Sequence, residues 1–329
     1  MMNYEEFKQK VMNEFLDYMP EEYSRENTEL ELRDVPKVNT VLTGIVLKPK
    51  QKGNYVSPTF YMERLYAQYE ECGSFEKVMK DQCEYLKEAQ KYAPKVPDVE
   101  SSAIKDKVIF QLVNTENNKK MVESCPSRQI HDLTAVYRVI VNLDHEGVSG
   151  FLISNDIAEA MGVTEEELFN LAKENTPKLF PAKVERIEET VMRMMRQFGA
   201  SEEEIDEQFQ DYENVPNKER VYVISNEYDF FGANALLLPE VLDKAAEQIG
   251  TNCYVIPSSV HDLVVLSAEG FASKERLASL VSETNTEHVK PSDVLSNNIY
   301  EYDPVSKELT FHNGKDLTND TDIDDDPDI

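Results

Sequence analysis

The stretch CYVIPSSVHDLVVL, residues 253–266, sets two apolar runs on either side of a polar corner. The flanking runs are dominated by Val, Ile, Leu and Tyr, which suit a pleated, half-buried surface, and Pro257, Ser258 and Ser259 supply turn chemistry between them. The same corner also holds the functional groups of a hydrolase: two hydroxyls in Ser258 and Ser259, an imidazole in His261 and a carboxylate in Asp262. A serine nucleophile needs a base within hydrogen-bond reach, an acid to orient that base, and an oxyanion hole. In an extended chain neighbouring side chains point to opposite faces, so His261 and Asp262 do not bond side by side. Ser259 and His261 share a face, yet their Cα atoms stand about 6–7 Å apart. No G-x-S-x-G elbow is present. The turn of a β-hairpin is therefore the stronger reading of this corner, with His261 restarting the strand.

A helix follows the hairpin at SKERLASLVSET, and the order strand, strand, helix recurs upstream. TVLTGIVLKP and NYVSPTFYM precede a helical stretch from Glu63 towards Tyr92, interrupted near Gly73. DLTAVYRVIVN and VSGFLISN precede DIAEAMG and TEEELFNLAKENT. RVYVISN and ANALLL precede PEVLDKAAEQIG. The pattern predicts an α/β protein of the α+β type, built from repeated β-β-α units with mainly antiparallel sheet and packed helices. Thr164 with Glu167 three residues on forms a capping box, and Pro177 marks the end of that helix. Pro239 opens its helix at the first turn and Gly250 closes it.

These blocks divide the chain into an N-terminal α/β region over 1–130, a central β-β-α region over 131–199 and a C-terminal α/β region over 220–314. An acidic linker or exposed helix lies between them at 200–219, and an acidic tail over 315–329 has too little apolar area to order itself.

With 329 residues, 40% hydrophobic, the chain can bury a sizeable core. There is no Trp, and 14 Phe with 16 Tyr provide the large apolar side chains. The formal net charge of −29, from 63 acidic against 34 basic residues, opposes contact with nucleic acid or anionic lipid and favours a partner protein with a basic face. Cys72, Cys83, Cys125 and Cys253 lack C-x-x-C spacing and read as free thiols of a reducing cytoplasm. No signal peptide or membrane-length apolar run is legible, so a cytoplasmic protein is expected.

Other candidate sites carry little. His131–Asp132 and His261–Asp262 are doublets of the kind used by metal phosphohydrolases, but both introduce strands, and only five histidines are available. His145–Glu146 belongs in a turn. The Asp-rich tail lacks the glycine and distal glutamate of a calcium loop. No metal, nucleotide or other cofactor is expected. In VMRMMRQF (191–198), Met192, Met195 and Phe198 recur at helical spacing and read as core, with Met194 left exposed. Glu202, Glu203, Glu204, Asp206 and Glu207 form a solvated face or a mimic of phosphates.

Taken together, SPTFYMERLYAQYEECGSFEKVM, GVTEEELFNLAKENT and YVIPSSVHDLVVL resemble a family of Firmicutes proteins of unknown function, DUF5688, over about residues 1 to 312, and more distantly the YtpQ-like family. The resemblance implies a cytoplasmic protein of Gram-positive origin and supplies no site residues. Three readings follow: an interaction module with a basic protein partner, a hydrolase using His261 as base with Ser258 or Ser259 as nucleophile and Asn175 or Asp156 nearby, and a nucleic-acid mimic.

Overall fold

A computed structural model describes residues 1–50, 59–91, 102–144, 147–210, 212–269 and 273–314. The turn at 51–53, the proline-bearing stretch 93–101, His145–Glu146 and the tail 315–329 lie outside the described residues. The chain folds as two compact units, Met1–Pro97 and Asp98–Ile329.

The first unit opens with α1 (Tyr4–Tyr18), started by a capping box in which Asn3 and Glu6 satisfy each other's backbone N–H groups. Strands β1 (Thr28–Lys37) and β2 (Thr40–Pro49) form an antiparallel hairpin, and the short β3 (Thr59–Tyr61) adds to β2. Asn39 takes φ 58° in the two-residue turn between β1 and β2, a conformation that asparagine tolerates. Helices α2 (Met62–Cys72) and α3 (Phe75–Lys91) meet at Gly73, whose φ of 68° closes α2. Phe7, Val11 and Phe15 from α1 pack with Ile45, Leu47, Met62 and Met79 in one fully buried cluster. Each such side chain contributes about 1.5–3 kcal/mol through removal from water.

The second unit holds two sheets. In the first, β6 (Leu133–Asp144) pairs with β4 (Val108–Asn114) along one edge; β5 (Ser127–Ile130) and then β7 (Gly147–Leu152) share the other edge. α4 (Lys119–Glu123) lies between β4 and β5, and α5 (Asn155–Met161) and α6 (Glu165–Leu179) follow β7. Residues 108–130 thus share a sheet with β6 and belong to this second unit.

The other sheet has six antiparallel strands in the order β13-β12-β10-β11-β9-β8. These are β8 (Ala182–Arg186), β9 (Val221–Asn226), β10 (Cys253–Ile256), β11 (Leu263–Ser267), β12 (Ile299–Asp303) and β13 (Glu308–His312), connected through α7 (Ile187–Gln197), α8 (Glu202–Gln208), α9 (Pro239–Ile249) and α10 (Lys274–Glu287). Because β8 pairs with β9, the acidic stretch 200–219 connects two neighbouring strands of one sheet. Part of it is helical, with Ile205 of α8 buried.

Strand, strand, helix occurs at β2–β3–α2, β6–β7–α5 and β10–β11–α10, in three different sheets, and the regular repeat expected from the sequence breaks at its third copy. ANALLL is not a strand. Residues Gly232–Leu237 form a 3₁₀ turn that is buried from 232 to 236. Both edges of β9 are already taken, by β11 and β8, so no slot remains for a hairpin partner. Pro177 does not stop α6 either: the helix runs on to Leu179, and Phe180 N–H bonds Thr176 O at 2.8 Å. The capping box at Thr164, Pro239 at the start of α9 and left-handed Gly250 at its end are as the sequence predicts.

Candidate functional site

The hairpin β10–β11 is formed, with Ile256 opposite Val264, but β11 begins only at Leu263, so His261 lies in the bend and does not restart the strand; the corner is strapped by residues 293–296. Ser296 N–H bonds Pro257 O and Leu295 N–H bonds Ser258 O, each at 2.9 Å, and Val260 N–H bonds Asp293 O at 2.9 Å. Ser259 Oγ accepts the His261 backbone N–H at 3.0 Å, as a turn-building serine does. The His261 carbonyl accepts Ser225 Oγ at 3.0 Å.

The imidazole faces other groups. Its Nδ1 is enclosed with no hydrogen-bond partner among the described residues, its Nε2 stands 3.8 Å from Asp293 Oδ1, and its ring meets Phe230 edge-on at 6.1 Å. Among the described residues no hydrogen bond joins Ser258 or Ser259 to the ring. Burial raises the Asp262 carboxyl above its ordinary range; His261 opposes the shift and Asp229 adds to it. Asn175 is engaged elsewhere, donating to Lys105 O at 2.8 Å and Val108 O at 3.2 Å, and Asp156 is exposed on α5. The geometry that acyl transfer requires, a hydroxyl on a base and the base on an acid, is not assembled in this corner.

Facing the corner is the loop 226–234. Asp229 and Phe231 take φ of 55° and 56°, each costing about 1–2 kcal/mol for a side-chain-bearing residue. Asn226 holds the loop, donating to Phe230 O at 2.6 Å and accepting Tyr228 N–H at 3.0 Å. Gly232 is demanded by space: a Cβ there would lie 2.2 Å from His261 O and 2.7 Å from Ser225 Cα. Asn234, 3% exposed, accepts Leu112 N–H at 3.1 Å and donates to Phe110 O at 2.5 Å, standing in for a strand on the open edge of β4. Phe230, Phe231 and Tyr228 then pack with Phe180, Ile109 and Ile140.

The other doublet is a structural knot. His131 takes φ 53° at the two-residue turn between β5 and β6 and stacks on Phe311 with ring centroids 5.1 Å apart. Asp132 accepts Ser296 Oγ at 2.6 Å, Asn298 Nδ2 at 2.7 Å and the hydroxyl of Tyr300. Among the described residues no group of three or more His, Cys, Asp or Glu is placed to hold a metal ion.

The surface feature that stands apart is the α7–α8 helical pair. Met192 is buried, but Phe198 is 86% and Met194 49% exposed. Of the residues expected in the core, Met195 is only half-buried and Phe198 is exposed. Phe198 sits at the C-cap of α7, followed by Gly199 at φ 88°, and the chain reverses into α8 before anything covers the ring. Val191, Met194, Met195, Phe198 and Ala200 line a groove of about 740 Å³ with Glu204 and Gln208.

Residues 4–304 match the family of unknown function DUF5688. The chain belongs to that family. No curated protein and no solved structure matches it. In this DUF5688 member no helix among the described residues is long and apolar enough to cross a membrane. Its four cysteines are free, and burial pushes the thiols of Cys125 and Cys253 up to about 11 and about 12, so both are protonated and unreactive at neutral pH. Sequence reasoning missed Asn234 and Phe198. Only the broken periodicity around Gly199 hinted that the apolar face of α7 ends without cover.

Proposed function

We propose that this protein is a cytoplasmic, non-enzymatic interaction module, and that the α7–α8 groove takes a basic, amphipathic helical segment of a partner protein. One observation carries the reading: an almost wholly exposed Phe198 beside the exposed Met194, over an apolar groove that Glu204 also lines. Methionine side chains reshape readily around a guest, and an apolar groove between helices suits the apolar face of a third. The rim supplies the sign of the guest. Glu202, Glu203 and Glu204 occupy the first turn of α8, followed by Asp206 and Glu207. The nearby cations Arg193 and Arg196 are paired with Glu185 and Glu202, leaving a negative field that attracts Lys or Arg. The hydrolase alternative draws less support, since Ser259 Oγ accepts a backbone N–H and, among the described residues, no serine hydrogen-bonds the His261 ring.

The test is fluorescence anisotropy with a labelled amphipathic peptide of Leu and Lys at helical spacing. Wild type is expected to bind it, more weakly as salt shortens the screening length from about 30 Å towards 8 Å. Phe198→Ser, which removes one anchor's burial, is expected to weaken binding about tenfold or more, and Met194→Ser somewhat less. Absence of binding at low salt, or equal affinity in wild type and both variants, refutes the groove.

A further inference from the structure

Arg138 differs from the salt-bridged arginines of this acidic chain. Arg25, Arg33, Arg128, Arg193 and Arg196 each pair with a carboxylate, on Asp17, Glu31, Glu165, Glu185 and Glu202 respectively. Arg138 has no carboxylate partner among the described residues. It lies on β6 opposite Ile109 of β4 and Leu152 of β7, in the interior of the sheet. Its contacts are two long ones, Nη1 to Gln111 Oε1 at 3.4 Å and Nη2 to Gly150 O at 3.3 Å. Both lie beyond the usual N–H···O range.

Gln111 is itself 3% exposed, and its side-chain NH₂ has no acceptor among the described residues. A guanidinium and an amide thus converge on one face of the sheet with donors to spare and no negative charge to receive them. Ile109 and Ile140, alternating onto that face, belong to the cluster with Phe180, Tyr228 and Phe230. Burial pulls the guanidinium below its ordinary range, the response of a cation that lacks compensation. Arg138 is nevertheless half-buried rather than fully enclosed.

We infer that Arg138 and Gln111 form a binding site for a small organic carboxylate. The planar fork of guanidinium donors matches the two oxygens of a carboxylate, and the Gln111 amide adds a third donor. A monoanion balances the single cation, whereas a dianionic phosphate would leave excess charge in an apolar setting. The neighbouring apolar cluster suits a ligand whose body is hydrocarbon.

The experiment uses the full chain, with sodium acetate, sodium benzoate and sodium phosphate titrated against sodium chloride at constant ionic strength. Melting temperature and the Arg Nε–H NMR signals are the readouts. Wild type is expected to show a saturable rise of about 5 °C when the carboxylate stands a hundredfold above its dissociation constant, with the Arg138 signal shifting along the same curve. Arg138→Met is expected to melt above wild type in carboxylate-free buffer, because an uncompensated charge has been replaced by an apolar chain, and to lose the saturable response. Gln111→Leu keeps the charge and is expected to weaken binding severalfold, which secures the test should Arg138→Met fail to fold. An Arg138 signal unmoved by any of the salts overturns the site. So does Arg138→Met melting below wild type in carboxylate-free buffer, since the protein itself then compensates the charge. A phosphate response exceeding that of both carboxylates overturns the ligand class.

Discussion

Substituting Asp132 by Ala is the sharpest perturbation of the second unit. Its carboxylate ties the turn between β5 and β6 to β12 by accepting from Ser296 Oγ at 2.6 Å, Asn298 Nδ2 at 2.7 Å and the Tyr300 hydroxyl. Tyr300 is 0% and Ser296 1% exposed, so neither can turn to water once the acceptor is gone. A hydrogen bond to a charged group contributes about 1.5–3 kcal/mol, and a stranded buried donor costs about 1–3 kcal/mol. Asn298 is half-buried and recovers solvent, and the Ser296 hydroxyl can rotate, so the full sum is not reached. The expected loss is about 3 kcal/mol for Asp132→Ala, about half that for Asp132→Asn, which keeps one acceptor, and about 1 kcal/mol for Tyr300→Phe. In the double variant the two losses overlap, giving a coupling of about 1 kcal/mol or more. Urea unfolding followed by far-UV circular dichroism and tyrosine fluorescence measures all four. Asp132→Ala within about 0.5 kcal/mol of wild type, or a Tyr300→Phe loss exceeding it, refutes the reasoning.

The remaining predictions concern the corner and its facing loop. Burial raises the folded-state pKa of Asp262 above its unfolded value, so folding disfavours the ionised form. The penalty is absent below the unfolded pKa and grows as pH rises through it. Asp262→Asn is therefore expected to melt above wild type at neutral pH and to converge on it near about pH 3, and a variant less stable at neutral pH contradicts this. Gly232→Ala places a Cβ 2.2 Å from His261 O, a backbone atom that cannot step aside. The expected cost is about 3 kcal/mol in urea unfolding, and a variant as stable as wild type contradicts the packing described.

Signals read from the sequence and confirmed by the structure are local ones. The Cys253–Leu266 hairpin, the capping box at Thr164, Pro239 opening α9 and Gly250 closing it each follow from backbone chemistry within a few residues. What was illegible depends on distant partners. β1 is broken up by charges and carries Pro36, and it becomes a strand only beside β2. ANALLL reads as a strand only from its place after a turn-like stretch, yet β9 has no free edge, and Asn234 bonds instead to β4, over a hundred residues earlier in sequence. At the corner the alternation argument does not apply, because His261 and Asp262 lie in the bend before β11 begins at Leu263, and nothing in the sequence indicates the strap 293–296 that consumes the turn's backbone groups. Phe198 shows the limit of periodicity: a residue on the apolar face of a helix is covered only if another element arrives to cover it.

Methyl NMR of the methionines tests the central claim most directly. The chain has 11 methionines, of which Met194 and Met195 line the groove. Titration with the Leu/Lys amphipathic peptide is expected to shift these two methyl signals in a saturable manner and to leave Met62, Met79 and Met161, buried in other parts of the chain, unmoved. Shifts distributed over all the methionines, or saturation with Met194 and Met195 unchanged, contradict the account.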